Sequence, residues 1–278
     1  MNLGGFDIGV CSWSLRPKNM TELVAHLDKV GLDHVQLALG PLLDMDAATR
    51  DAEIKVLADA EIAITAGMIG FAGESYTTIS SIRLTGGFIP NEFWLDRRAR
   101  AIAAAQLAAE LGLEALSVHA GFVPPGRDQN YDAVVDRMGE LVAEFAKLNV
   151  TLLMETGQER DNELLQFIND LNAKHVGVNF DPANMLLYGV GDPVEAIGIL
   201  DRHIQHVHIK DAIVSDQPGI VWGEEVPFGT GDVEVHSFLR ALNDISYAGP
   251  LVIEREAGPS RVEDVLKAIE TLQAHLGG

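Results

Sequence analysis

Four residues of this chain could share one cation. Glu155, Asp181, His208 and Glu254 each stand at or near the end of a short apolar run. Three carboxylates brought into one small space repel one another, and leaving them there unpaired is costly. A divalent cation removes that cost. An oxygen-rich set with one imidazole suits Mn²⁺, Mg²⁺ or Co²⁺, and Zn²⁺ is also compatible. Taken singly, each residue has a plainer reading. Asp181 could begin a turn or cap a helix, Glu155 and Glu254 could pair with a neighbouring cation, and His208 could be a hydrogen-bonded core histidine. Four such residues at the ends of four successive runs favour the shared metal.

The runs that carry them read as strands. Val150–Glu155, Val176–Asp181, Ile204–Ile209 and Leu251–Glu254 are short and rich in β-branched residues. Side chains alternate faces along a strand, so His206 and His208 point one way and Val207 and Ile209 the other. Thr151, Leu153 and Glu155 share a face, as do Gly177, Asn179 and Asp181. His206 reads as a supporting or core residue, and His203 as the start of its run.

Four more runs precede these: 8–13, 34–39, 62–68 and 115–119. Helical patterns follow each run, near 20–30, 46–60, 92–111, 130–148, 161–172, 193–200, 234–245 and 261–275. Eight alternating βα units imply parallel pairing and an α/β fold, a closed (β/α)₈ TIM barrel. An open doubly wound sheet would carry a Gly-rich phosphate loop after its first strand, whereas here Ser14-Leu15-Arg16-Pro17 follows. Segments 69–90 and 211–232 are too long to be simple connectors and read as loops over the C-terminal mouth, where barrel active sites lie.

The chain has 278 residues, 20 Lys+Arg and 41 Asp+Glu, for a formal charge of −21. That balance opposes nucleic acid or an anionic membrane surface as a partner. The single cysteine, Cys11, excludes an intrachain disulfide and reads as a small inward filler. The N-terminal residues lack the basic start and apolar stretch of a signal peptide, and no run is long enough to span a bilayer, so the expectation is a cytoplasmic protein.

At the mouth residues the chain resembles the xylose-isomerase-like barrel superfamily of sugar isomerases and epimerases. The resemblance runs over essentially the whole chain, as a single domain spanning 1–278. It rests on Met154-Glu155-Thr156-Gly157-Gln158-Glu159, Asn179-Phe180-Asp181-Pro182-Ala183-Asn184-Met185 and His206-Val207-His208-Ile209-Lys210-Asp211, with Pro227-Phe228-Gly229-Thr230-Gly231-Asp232 and Leu251-Val252-Ile253-Glu254-Arg255-Glu256. It implies a metal site of Glu155, Asp181, His208 and Glu254, with the two glutamates also acting as acid and base across a bound sugar. Two positions depart from the ketose 3-epimerase pattern. Asn184 stands where a histidine is common, three residues after the metal Asp, and Val214 where an arginine is common, six after the metal His. Both positions contact substrate in those enzymes, so the sugar is left open.

Around the mouth, His119 is expected to contact substrate, with a backbone-bonded buried role as the alternative. Trp13 could wall a sugar face or pack in the core. Gln158 and Glu159 could reach substrate or face solvent at a helix start, and Asn184 could hydrogen-bond a hydroxyl. Lys210 and Asp211 are expected to pair behind His208. Trp222 could close over the site or pack in an oligomer contact.

The resulting expectation is a divalent-metal-dependent isomerase or epimerase of a ketose or related keto-polyol. A dehydratase or lyase of a keto-sugar or keto-inositol is the alternative on the same scaffold. An abasic-site endonuclease is disfavoured by the charge, and a non-catalytic sugar-binding barrel by the intact glutamate pair. The partner is a small-molecule carbohydrate, and a homo-oligomer is compatible with the sequence.

Overall fold

A computed structural model describes residues 1–126 and 129–277. Eight parallel strands form the centre: β1 (Phe6–Cys11), β2 (His34–Ala38), β3 (Ala63–Ile69), β4 (Ala115–Val118), β5 (Thr151–Glu155), β6 (Val176–Phe180), β7 (Ile204–Ile209) and β8 (Leu251–Ile253). Each pairs with the next, and β8 pairs with β1 through Leu251–Ile8 and Ile253–Val10. The sheet is therefore closed, a (β/α)₈ barrel with no exposed edge.

The outer ring is α1 (Met20–Val30), α2 (Ala47–Asp59), α3 (Trp94–Glu110), α4 (Gln129–Lys147), α5 (Asp161–Leu171), α6 (Pro193–Leu200), α7 (Val235–Asp244) and α8 (Arg261–Leu276). Local chemistry sets their ends. The Asn19 side chain accepts the Glu22 N–H to start α1, and Gly31, at φ 72°, ends it. Outward strand residues such as Val207, Ile209 and Val178 are fully buried beneath this ring. Among the described residues, no helix is long and apolar enough to cross a membrane.

Three expectations need correction. Strand β1 stops at Cys11, and Trp13 lies in the 3₁₀ turn Ser12–Leu15 beyond it. The two long connections are not structureless. Segment 69–90 contains the helix Ile79–Thr85, and 211–232 contains a hairpin of Asp211–Ile213 with Glu224–Val226. A further helix, Pro182–Tyr188, sits between β6 and α6 because Asp181 caps it and Pro182 begins it.

Asp211 anchors the second long connection. It is fully buried, and its carboxylate accepts four backbone N–H groups, from Ala212, Gly229, Gly231 and Val233. A Cβ at Gly231 would meet Asp211 Oδ1 at 2.4 Å. Gly231→Ala is therefore expected to cost roughly 1–3 kcal/mol, the range for forced repacking. Urea unfolding of the variant beside the parent protein measures it; equal midpoints would contradict the anchoring role.

Candidate active site

Barrel geometry carries the four predicted residues to adjacent strand ends, Glu155 on β5 and His208 on β7, Asp181 and Glu254 one residue beyond β6 and β8. All four are buried, and one donor atom from each lies within 4.8 Å of the others. The carboxylates converge on a single atom. His208 Nδ1 is 3.3 Å from Glu155 Oε1, 3.4 Å from Asp181 Oδ2 and 3.3 Å from Glu254 Oε2.

The surrounding residues aim these groups. Gln36 Oε1 lies 2.6 Å from His208 Nε2 and accepts its N–H, so Nδ1 is the atom that turns to the three carboxylates, where it holds either a proton or a cation. That is the orientation a metal-binding histidine needs, held by an outer hydrogen bond. Asp181 does two things at once. Its Oδ1 accepts the Asn184 N–H to cap the helix Pro182–Tyr188, which turns Oδ2 toward His208. The Thr156 hydroxyl donates to Asp181 O and accepts the Asp181 N–H, fixing β5 against β6 at this level. At Gly157, φ is 134° and a Cβ would meet Asn184 Cβ at 2.5 Å, so the chain after Glu155 can lie against the helix only without a side chain.

The electrostatics ask for a positive charge at this point. Burial alone would favour a neutral His208, but the carboxylates of Glu254, Glu155 and Asp181 outweigh it and raise its proton affinity well above the usual imidazole range. Burial alone would likewise raise the carboxyls. His119 and His208 overcome it at Glu155, Lys210 and His208 at Glu254 and Asp181, so all three stay below their ordinary range. Three anionic oxygens around one nitrogen, whose other side is already satisfied, form a donor set that fits a divalent cation. A proton on Nδ1 is the competitor, so binding a cation there releases it.

The other predicted residues are placed as follows. Trp13 Nε1 donates to Glu254 Oε1 at 2.7 Å. Asn184 Nδ2 donates to Glu155 Oε1 at 3.0 Å, and Asn184 Oδ1 accepts from Lys210 Nζ at 3.3 Å. His119 Nε2 is 3.4 Å from Glu155 Oε2, and its buried Nδ1 has no hydrogen-bond partner. Gln158 Nε2 reaches the Tyr188 hydroxyl at 3.4 Å. Glu159 is buried, with Oε1 accepting the Val123 N–H. Trp222 packs edge-on against Tyr188. His206 is a support, with Nδ1 on Asn179 Oδ1 at 2.9 Å and Nε2 on Thr65 Oγ1 at 3.0 Å. Cys11 Sγ sits 3.6 Å from His208 Nε2, and burial pushes its thiol up to about 12, so it is no nucleophile.

Lys210 and Asp211 do not pair. Neighbours in an extended chain point to opposite sides, so Asp211 turns to the loop while Lys210 enters the mouth. There its Nζ lies 2.7 Å from Glu254 Oε2, 2.9 Å from Glu256 Oε2 and 3.6 Å from Asp181 Oδ2. Sequence reasoning also passed over Gln36, although it is an inward polar residue within an apolar strand. Beside the cluster opens a cleft of about 1010 Å³, whose walls include Trp13, Met68, Phe71, Tyr76, His119 and Glu254.

The sequence model described as xylose isomerase-like TIM barrel matches residues 5–275. The chain belongs to that family. A solved xylose isomerase domain protein from Planctomyces limnophilus is 32% identical, covers 98% of both chains and superposes with a TM-score of 0.87. A xylose isomerase-like TIM barrel protein from Mycobacterium smegmatis, solved in complex with magnesium, is 18% identical over 99% of this chain and 100% of its own, with a TM-score of 0.73. Sugar epimerases and a dehydratase share the frame. D-psicose 3-epimerase from Clostridium cellulolyticum H10 is 13% identical over 97% of this chain and 99% of its own, with a TM-score of 0.72. The probable 3-DHS dehydratase AsbF from Bacillus anthracis is 17% identical over 96% and 98%, also at 0.72. At those identities the likeness is one of fold. Among curated sequences, the match spans 58% of an uncharacterized protein of Methanocaldococcus jannaschii, at 24% identity over 61% of this chain. It spans 25% of the uncharacterized Escherichia coli protein YihM, at 29% identity over 30% of this chain.

Two measurements probe this geometry. Saturation with Mn²⁺ at about a hundred times its Kd should stabilise the protein by about 2.7 kcal/mol, a melting shift of roughly 5–10 °C. The shift should shrink as pH falls, because protons compete for the donors, and should vanish in Asp181→Asn. A shift of equal size in that variant would place the ion elsewhere. The second concerns Glu159, whose carboxyl burial raises from 4.5 to about 7. Above pH 4.5 the unfolded chain loses this proton while the folded protein keeps it, so stability falls as pH rises toward about 7 and then levels. Glu159→Gln should remove a loss on the order of 3 kcal/mol across that window. Urea midpoints of parent and variant that run parallel with pH would refute it.

Proposed function

We propose that the protein is a divalent-metal-dependent isomerase or epimerase of a ketose or related keto-polyol. One observation carries the reading: Glu155, Asp181 and Glu254 converge on Nδ1 of His208 beside an open cleft. Held by these four residues, a divalent ion would polarise a substrate carbonyl and offset charge that develops beside it. Sugar epimerases on the same frame and a magnesium complex of a family member support the class of substrate and the kind of cation.

The proton chemistry belongs to the two glutamates. Glu254 is fixed at the cleft wall between the Trp13 indole N–H and the Lys210 ammonium. Glu155 is fixed through Oε1 by Asn184, while Oε2 accepts no hydrogen bond and faces His119. One carboxylate removes a proton beside the carbonyl, and the other returns it on the opposite face, which inverts that carbon. Return to the neighbouring carbon exchanges aldose and ketose. His119 lines the cleft beside Glu155 and is the residue assigned to hold a substrate hydroxyl, and Trp13 and Tyr76 offer flat apolar surfaces to the sugar.

The test is proton exchange. Protein loaded with Mn²⁺ is incubated in D₂O with D-fructose, D-tagatose or D-psicose, and deuterium beside the carbonyl is followed by NMR. Exchange is expected, with a loss of roughly 10²–10⁴-fold in Glu155→Gln and in Glu254→Gln. Full exchange in excess chelator, with no metal bound, would overturn the reading. Product mass separates the alternative, since loss of water or chain cleavage would make the protein a dehydratase or lyase.

A further inference from the structure

We infer that the substrate is larger than one monosaccharide, and that a second sugar ring binds at an Asp44–Arg100 subsite over the first half of the barrel. The inference rests on the carbohydrate reading of the site.

Glu155, Asp181, His208 and Glu254 occupy the ends of β5 to β8, but the cleft opens over the other half of the mouth. Its walls come mainly from the segments after β1, β2 and β3, and of the four clustered residues only Glu254 lines it. At about 1010 Å³ it matches the upper end of pockets that enclose a drug-sized ligand, ~300–1000 Å³, well beyond one sugar ring. Distance separates its two ends. Neighbouring strands lie ~4.8 Å apart, so two strand steps separate Glu254 on the β8 end from the β2 end by ~10 Å. Asp44 lies farther along the chain after β2, and Arg100 reaches in from α3. A ring held against Glu254 and His119 therefore stops short of this pair.

The far end has the chemistry of a sugar contact. Arg100 Nη1 donates to Asp44 Oδ1 at 2.8 Å and Nη2 to Asp44 Oδ2 at 3.0 Å, a two-pronged pair. Arg100 Nη2 also donates to Gly40 O at 3.2 Å, which ties the pair to the backbone. Carboxylate acceptors and guanidinium donors then stand side by side and partly exposed, which suits neighbouring hydroxyls that each donate and accept. Because Asp44 balances the Arg100 charge, the pair favours an uncharged polyol over a phosphate. Of the other acids that line the cleft, Glu74 is committed to the Phe71 and Gly87 N–H groups, and Glu256 to Lys210 Nζ. Met68 and Phe71 add apolar surface to the cleft wall.

Calorimetric titration of the Mn²⁺-loaded protein with D-fructose and with the keto-disaccharides isomaltulose, turanose and lactulose tests the subsite. At least one disaccharide should bind roughly tenfold or more tighter than D-fructose. In Arg100→Ala and Asp44→Ala the ratio of the two affinities should fall toward unity. The inference is overturned if no disaccharide outbinds D-fructose, if the advantage survives both variants, or if none of the four sugars binds. Deuterium exchange on the same sugars reports separately on the reaction. A disaccharide preference without exchange would sink the proposed chemistry and leave the subsite standing, whereas exchange without preference would do the reverse.

Discussion

Three carboxylates buried around one imidazole nitrogen cannot all remain anionic unless a positive charge sits among them. At separations within 4.8 Å and an effective dielectric near 20, each like-charged pair costs roughly 3–4 kcal/mol. Three such pairs rival the net stability of a typical domain, ~5–15 kcal/mol. Lys210 relieves part of this from one side, through Glu254 and Asp181. Glu155 has no such lysine, and His119 is its nearest cationic partner apart from His208 itself. The arrangement is therefore stable as a whole only with a cation at His208 Nδ1, whether proton or metal, and much of the mouth serves to keep that nitrogen available.

The closed barrel makes this arrangement possible. Closure brings β8 against β1, which places Trp13, from the start of the chain, on Glu254, near its end. It also places Gln36 of β2 on the far side of the His208 ring from the carboxylates. Strand alternation sends His206 and His208 inward together, and the two have different tasks. His206 is used up by Asn179 and Thr65 inside the barrel, while His208 stands nearer the mouth and turns one nitrogen to the three carboxylates. The same division appears at Asp181, where one oxygen ends a helix and the other faces the cluster.

The acid excess has two distinct origins. A few carboxylates, among them Glu155, Asp181 and Glu254, are buried and matched to a cation. Others serve as fastenings in the loops. Asp211 gathers four backbone N–H groups, and Glu225 accepts from Arg255 and from the Glu256 and Ala257 N–H groups, holding the 211–226 hairpin to the end of β8. Net charge alone distinguishes none of these uses, although it weighs against a polyanionic partner.

Periodicity alone determined the eight βα units, the inward face of β7 and the four strand-end residues, because strand alternation and helix spacing are local properties of the backbone. The metal-type set was legible for the same reason: a strand end in a parallel barrel is always at the mouth. What surrounds those residues was decided only by tertiary structure. That Lys210 meets Glu254, that Gln36 accepts the His208 N–H, and that Asp181 is both cap and candidate ligand all depend on residues distant in sequence meeting across the closed sheet. The cleft over β1 to β3 was equally hidden. Its walls come from segments whose spacing carries no periodic signal, and its shape exists only once the helix Ile79–Thr85 and the loops after β1 and β2 have packed. The pattern along the chain specifies which side chains arrive at the mouth; the packing of long connections sets the space left between them, and with it the size of molecule that can enter.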